Sequence, residues 1–431
     1  MDNHGINALL DFINASPTAF HAATNAAQRL EKAGFTALRM ADEWTMEHGG
    51  KYFVTQNGSA LLAFVVGQCD PVESGFRLIA AHTDSPCFQI KPHAEMRAEG
   101  YQKLNTAVYG SPILSTWFDR PLALAGRVLV RGDSIFTPES VLVNIRRPVL
   151  VIPNLAIHFA DKSGTAQAYD TQKDTLPLAG FVDKTLEKDD FLLRLLSQET
   201  GRDMSDILDF DLFLYEHTPG HLMGAKNEFI SASRLDDLWM VHTGLEALIA
   251  APPAAHTSVL LCADAEEVGS RTLAGAESAF AQICLTRLVL ALGGTTADFN
   301  RMAAQSFMLS ADLAQAVHPN YGEIHDPTTR PVLGGGPVVK YSINRRYATD
   351  GEGAAVFAEV CRAAGVPYQR YANRSDIAGG STIGPVLASQ FAARVADVGA
   401  PVLAMHSIRE LGATADNVST IKAFQAFYTL C

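Results

Sequence analysis

An apolar run, Val259 to Cys262 in TSVLLCADAEEVGS, leads straight into Asp264, Glu266 and Glu267, with Gly269 just beyond. A run of that length and composition suits a strand buried in a core. Adjacent carboxylates repel one another and gain nothing from burial, so carboxylates at the end of a core strand require a compensating cation. A metal ion meets the requirement. One carboxylate ligates it, while its neighbour, held just off the ion, accepts a proton from water whose pKa the ion lowers to about 7.

The surrounding pattern is α/β. From Ser231 onward a helix in LDDLWMVHTGLEALIA, the strand above, a helix after Gly275, strands in FMLSADLA and PVVKYS, a helix in GEGAAVFAEVCRAAG and a final strand in PVLAMHS follow one another. Alternation of this kind predicts a mixed, largely parallel sheet flanked by helices. Upstream, residues 5 to 35 read as two helices, the second opening at Ser16-Pro17 and ending near Gly34. KYFVTQ, SALLAFVVG and FRLIAAH read as strands, the last two apolar enough to be buried on both faces. Between about residue 93 and 230 the texture changes to short β segments such as LALAGRVLVRG, SVLVNI and DLFLYE, punctuated by Gly, Pro and Asp. For a chain of 431 residues two domains are more natural than one. The expected organisation is an α/β domain of residues 1–92 and 231–431, interrupted by a β-rich insert of residues 93–230.

Other strand ends carry the same kind of chemistry. AAHTDSP puts His82 at the end of FRLIAAH, and Asp84 two residues on could fix one imidazole N–H while the other nitrogen binds zinc. Taken alone, this triplet is more often a surface turn. SRLDDLWM places Asp236 and Asp237 at a helix start, where carboxylates also simply cap free N–H groups, and spacing does not choose between them. SADLAQAVHPNY sets Asp312 and His318 after FML, and VLAMHSIRE sets His406 at the end of another run. His82, Glu266-Glu267, Asp312 and His406 thus all fall where core strands end, the edge at which an open α/β sheet gathers its ligands. Two histidines and three carboxylates form a donor set for two divalent ions that share one carboxylate.

Composition narrows the partners. A net charge of −12 argues against nucleic acid or an anionic membrane, whose phosphates would be repelled. Six cysteines, at Cys69, Cys87, Cys262, Cys284, Cys361 and Cys431, contain no CxxC pair and read as thiols in a reducing compartment. The opening MDNHGINALLDF lacks the basic and apolar regions of a secretory leader, and no apolar run reaches membrane-spanning length. A cytoplasmic location is expected.

AAHTDSP, SRLDD, EEVGS, SADLAQAVHPNY, GGPVVKYS, STIGP and MHSIRE, in that order and spread along nearly the whole chain, closely resemble the aspartyl aminopeptidases, self-compartmentalising two-metal exopeptidases. The resemblance implies a zinc-peptidase-like domain that hydrolyses an N-terminal Asp or Glu from peptides with water bridging two ions. It makes His82, Glu267, Asp312 and His406 terminal ligands, Asp236 the shared one, Glu266 the general base and Asp84 the residue that orients His82. The ions would be zinc, with cobalt or manganese as substitutes. It also implies that the insert is a dimerisation or lid domain, that dimers build a dodecamer around an inner chamber, and that His158 in IPNLAIHFA reaches a neighbouring subunit's site. An acidic side chain needs a cation or several donors in its pocket. Lys340 is the matching cation, with His318 and the donors around Gly380, Ser381 and Thr382. Gln315 stands where histidine is expected, and Asp237 and Ala265 where asparagine is expected; none is a proposed ligand. Rival readings are a two-metal aminopeptidase for neutral residues, a small-amide deacylase, or a non-catalytic assembly protein.

Overall fold

Residues 4–69, 71–159, 169–182 and 190–430 are described by a computed structural model. They form two bodies: Met1–Asp84, Gly220–Met405 and Glu410–Cys431 make the first, Ser85–Pro219 and His406–Arg409 the second. Residue 93, where the composition changes, lies within the strand Cys87–Ala98.

The first body is built on nine strands: β1 Thr36–Leu38, β2 Lys51–Gln56, β3 Ala60–Val65, β4 Phe76–His82, β5 Thr257–Ala263, β6 Phe307–Ala311, β7 Val338–Tyr341, β8 Gln369–Ala372 and β9 Arg394–Gly399. Their order in the sheet is β1-β2-β3-β5-β4-β6-β9-β7-β8. Neighbours are parallel except at β2/β3, β3/β5 and β9/β7, so the sheet is mixed and largely parallel. Because side chains alternate across a strand, Leu61, Ala63, Ile79, Ala81, Leu260 and Cys262 fill one core while Leu62, Phe64, Leu78, Ala80, Val259 and Leu261 fill another. Burial on both faces is why these runs are apolar at nearly every position.

Helices α1 His4–Ala15, α2 Ala19–Lys32, α3 Leu235–Ala250, α6 Gly351–Ala364 and α8 Thr414–Thr429 contribute to the first core; α4 Phe280–Ala291, α5 Thr296–Gln305 and α7 Ile383–Phe391 contribute to the second. The α2 helix starts two residues beyond Pro17, after an extended Thr18. No single helix among the described residues is long and apolar enough to cross a membrane.

The central strands β5, β4 and β6 are parallel, and their register sets Ala263 beside His82 and Ser310 beside Ala80. Their carboxyl ends therefore share one sheet edge. Next to β6, Val398 of β9 accepts the Asp312 N–H at 3.0 Å. Gly399 follows, so close that a Cβ there would lie 2.0 Å from the Asp312 carbonyl oxygen.

The expected last strand, PVLAMHS, is only partly a strand. Pro401 and Val402 pair with Ala314 and Gln315 outside the large sheet. Ala404 and His406 then take φ of 56° and 66°, left-handed values that a ladder does not accommodate. His406 consequently sits in a turn of the second body and not at a strand end.

The second body holds a six-stranded antiparallel sheet, ordered Thr137–Asn144, Leu122–Ser134, Ile207–Glu216, Cys87–Ala98, Tyr101–Tyr109 and Leu178–Phe181. The helix Phe191–Thr200 adds Leu192, Leu195 and Leu196 to a core with Phe88, Leu124, Leu212 and Leu214.

Gly399→Ala is expected to push β9 away from Asp312 and to cost about 1–3 kcal/mol, the usual scale of overpacking. Chemical denaturation measures this as a lower midpoint at unchanged slope; an unchanged midpoint would contradict the close approach.

Candidate metal centre

His82 is the last residue of β4 and is fixed on three sides. Its backbone N–H donates to Asp237 Oδ2 at 3.1 Å. Its Nδ1 lies 3.1 Å from the Asp84 carbonyl oxygen and 3.4 Å from Asp84 Oδ1, and its Nε2 lies 3.3 Å from Asp236 Oδ1. A donor on the Nδ1 side leaves Nε2 to face the carboxylates, the arrangement by which a second residue selects the imidazole tautomer.

Asp236 and Asp237 stand at the start of α3 with non-helical angles, joined by a cis peptide bond. The Asp236 N–H donates to Glu410 Oε2 at 2.9 Å, which holds the segment from the neighbouring strand Glu410–Ala413.

Glu266 and Glu267 lie on a single turn just beyond β5, after Ala265 at φ 59°. One carboxylate grips both. Asp84 accepts the Glu266 N–H on Oδ1 and the Glu267 N–H on Oδ2, each at 3.1 Å. The same residue that orients His82 thus fixes the turn carrying both glutamates.

The result is a dense group of donors. His82, Asp236, Asp237 and Asp312, all buried, offer ligand atoms within 4.8 Å of one another, and so do His82, Glu266 and Glu267. Positive charge is scarce among them. Burial, then Asp312 and Asp236, hold the Asp237 carboxyl well above the usual carboxylate range against the pull of His82. Burial likewise raises Asp312 although Lys340 opposes it, with Asp236 adding to the rise. The Glu266 carboxyl is pushed up to about 7 by burial, opposed by His82 and reinforced by Asp312, Asp236 and Asp84. Burial would lower the His82 imidazole, yet Asp237, Asp236 and Asp84 hold it well above its ordinary value. Asp237 Oδ1 is buried without a hydrogen-bond partner among the described residues. A donor set of oxygens with one imidazole, short of positive charge, fits a divalent cation.

The remaining residues singled out in the sequence are distributed more widely. Lys340, fully buried in β7, sits 3.3 Å from Asp312 Oδ2. The Thr382 hydroxyl, just before α7, donates to Asp397 Oδ1 at 2.6 Å, while Gly380 and Ser381 are exposed. His318 is half-buried; its Nδ1 accepts the Asn320 N–H and its ring packs 4.9 Å from Tyr321. His406 and His158 belong to the second body, His406 with Nδ1 3.0 Å from the Ser111 carbonyl and His158 exposed in a turn. Sequence reasoning missed the support given by Asp237 and Glu410. The paired acids of SRLDD and the terminal acid of MHSIRE were the available signals.

The family model described as Aminopeptidase I zinc metalloprotease (M18) matches residues 12–428. A Clostridium acetobutylicum protein, "Probable M18 family aminopeptidase 2", is 52% identical over 423 residues, 98% of each chain. Among solved structures, one of the Ape4 and Nbr1 complex superposes with a TM-score of 0.94 at 36% identity, covering 98% of this chain and 85% of that one. The S. cerevisiae mApe1 dodecamer superposes with a TM-score of 0.86 at 29% identity, covering 99% and 97%. This chain therefore belongs to the M18 family of zinc metalloaminopeptidases.

Proposed function

We propose that this aminopeptidase removes N-terminal Asp or Glu in preference to other residues. It would do so with two divalent ions held by His82, Asp236, Glu267, Asp312 and His406, Asp236 being shared and Glu266 acting as general base. The observation that carries the proposal is the buried cluster of His82, Asp236, Asp237 and Asp312 with too little positive charge for its carboxylates. Asp236 is taken over Asp237 as the ligand on the resemblance of SRLDD, and Asp237 Oδ2 accepts the His82 N–H. His406 enters the set on the resemblance of MHSIRE alone.

The ions, zinc first and cobalt or manganese as substitutes, would supply Lewis acidity for the scissile carbonyl and for water, together with charge balance for the carboxylates. The protein's own groups do the rest. Glu266 takes a proton from the attacking water and returns one to the leaving amine. Asp84 holds the Glu266 amide and the His82 ring in fixed relation, so base and ligand keep their spacing.

The preference for acidic residues rests on the resemblance to aspartyl aminopeptidases. With a net charge of −12, the chain as a whole does not attract an acidic peptide, so the selectivity must come from local donors. His318 and the backbone at Gly380 and Ser381 are the proposed donors; the Thr382 hydroxyl is engaged by Asp397. Preference for neutral residues is the second reading, favoured by Gln315 and by the pairing of Lys340 with Asp312.

Assembly of dimers into a dodecamer, with His158 serving a neighbour's site, is part of the proposal. The S. cerevisiae relative was solved as a dodecamer. On the second body Ile157 and Phe159, which flank His158, are each 77% exposed, apolar surface of the kind that partners cover. A cytoplasmic location suits Cys262, Cys284 and Cys361, buried cysteines that keep their thiols.

On Asp-, Glu- and Leu-capped chromogenic amides, kcat/KM is expected to be about tenfold or more higher for the acidic pair; equal or inverted values would favour the neutral reading. Glu266→Gln is expected to lower kcat by about 10²–10⁴-fold while zinc content stays at the wild-type level. An active Glu266→Gln enzyme would remove Glu266 from the role of base.

A further inference from the structure

We propose that Lys340 is a positioning residue that fixes the Asp312 carboxylate, and that it does not read the substrate's acidic side chain. The inference rests on the reading of Asp312 as a ligand.

An ammonium group has three N–H donors and no acceptor. The Lys340 Nζ donates to the Leu313 carbonyl at 3.1 Å, pairs with Asp312 Oδ2 at 3.3 Å, and lies 5.1 Å from the centroid of the Tyr347 ring. Two of the three donors therefore face close acceptors on Asp312 and Leu313, and the charge rests against the Tyr347 ring. The side chain is 2% exposed, and Asp312, Leu313 and Tyr347 are all buried around it. An ammonium that far from water needs its carboxylate partner to offset the desolvation.

The pairing also suits what Asp312 has to do. Its backbone is held by the N–H donated to Val398, yet the side chain retains rotation about its own bonds. Lys340 takes one oxygen and leaves the other to turn toward His82 and Asp236, with which Asp312 shares a set of close ligand atoms. The Leu313 carbonyl, one residue along, ties the same ammonium to the backbone that carries Asp312, so ligand and support move together. A neutral donor at this place would orient the carboxylate but would not balance its charge.

Lys340→Met removes both the charge and the donors at similar volume. Zinc affinity, measured by competition with a chromogenic chelator, is expected to fall about 10–100-fold, the usual consequence of losing a ligand's supporting partner. The kcat for Asp- and Leu-capped amides should fall by like factors, with their kcat/KM ratio unchanged. Wild-type zinc affinity with a collapsed Asp/Leu ratio, carried by KM for the Asp substrate, would overturn the proposal and make Lys340 a specificity residue. If Lys340→Met does not fold by circular dichroism, Lys340→Gln is judged on the same two readouts. Asp312→Asn runs in parallel. Should it keep wild-type zinc affinity, the ligand reading itself fails; should it lose zinc while the Lys340 variant does not, only the role given to Lys340 fails.

Discussion

Mutual repulsion among buried carboxylates is the constraint around which the first body is organised. Asp236, Asp237 and Asp312 converge on one imidazole at a sheet edge, and Glu266 and Glu267 approach the same histidine. Burial is the largest contribution raising Asp237, Asp312 and Glu266, and the acids then raise one another. A fold spends stability on such a group only if something else bound there returns it. Metal binding is that return, and it links ion affinity to folding because the full set of ligands exists only in the native state.

The sheet makes the convergence possible. Three adjacent parallel strands end at His82, Ala263 and Ala311, so short connections bring Asp84, Glu266, Glu267 and Asp312 to one edge. Precision is then added by backbone hydrogen bonds to carboxylates. Asp84 holds two amides of the glutamate turn, Asp237 holds the His82 amide, and Glu410 holds the Asp236 amide. Each of these carboxylates is spent on geometry, and side-chain positions on rigid elements are what a hydrolytic centre needs. Lys340 extends the same logic to Asp312, with charge balance added.

Much of this was readable from the chain because apolar runs are easy to find and their ends are distinctive. His82 and Asp312 follow such runs directly, and Glu266-Glu267 declare themselves as adjacent acids. Spacing does not separate Asp236 from Asp237, since both begin a helix, and the hydrogen bond that engages Asp237 comes from His82, 155 positions away. Lys340 is a pocket cation by the resemblance of GGPVVKYS, and nothing in the sequence signals its nearness to Asp312. The strand β9 is obscured by Asp397, which interrupts its apolar pattern and is tolerated because the Thr382 hydroxyl and the Ala348 N–H donate to its carboxylate. PVLA has the composition of a strand and so suggests one ending at His406; the left-handed angles of Ala404 and His406 carry no such composition signal. Ala265 adopts φ 59° where the resemblance leads one to expect asparagine, a residue that accepts this region more readily.

Metal content tests the central claim most directly. Purified protein, stripped with chelator and reloaded with zinc, should hold two ions per chain by mass spectrometry, the number a shared-carboxylate site requires. The same sample of Asp236→Asn should hold fewer. A wild-type chain that takes up no zinc, or an Asp236→Asn variant that holds as much as wild type, would contradict the account of a cation-balanced carboxylate cluster.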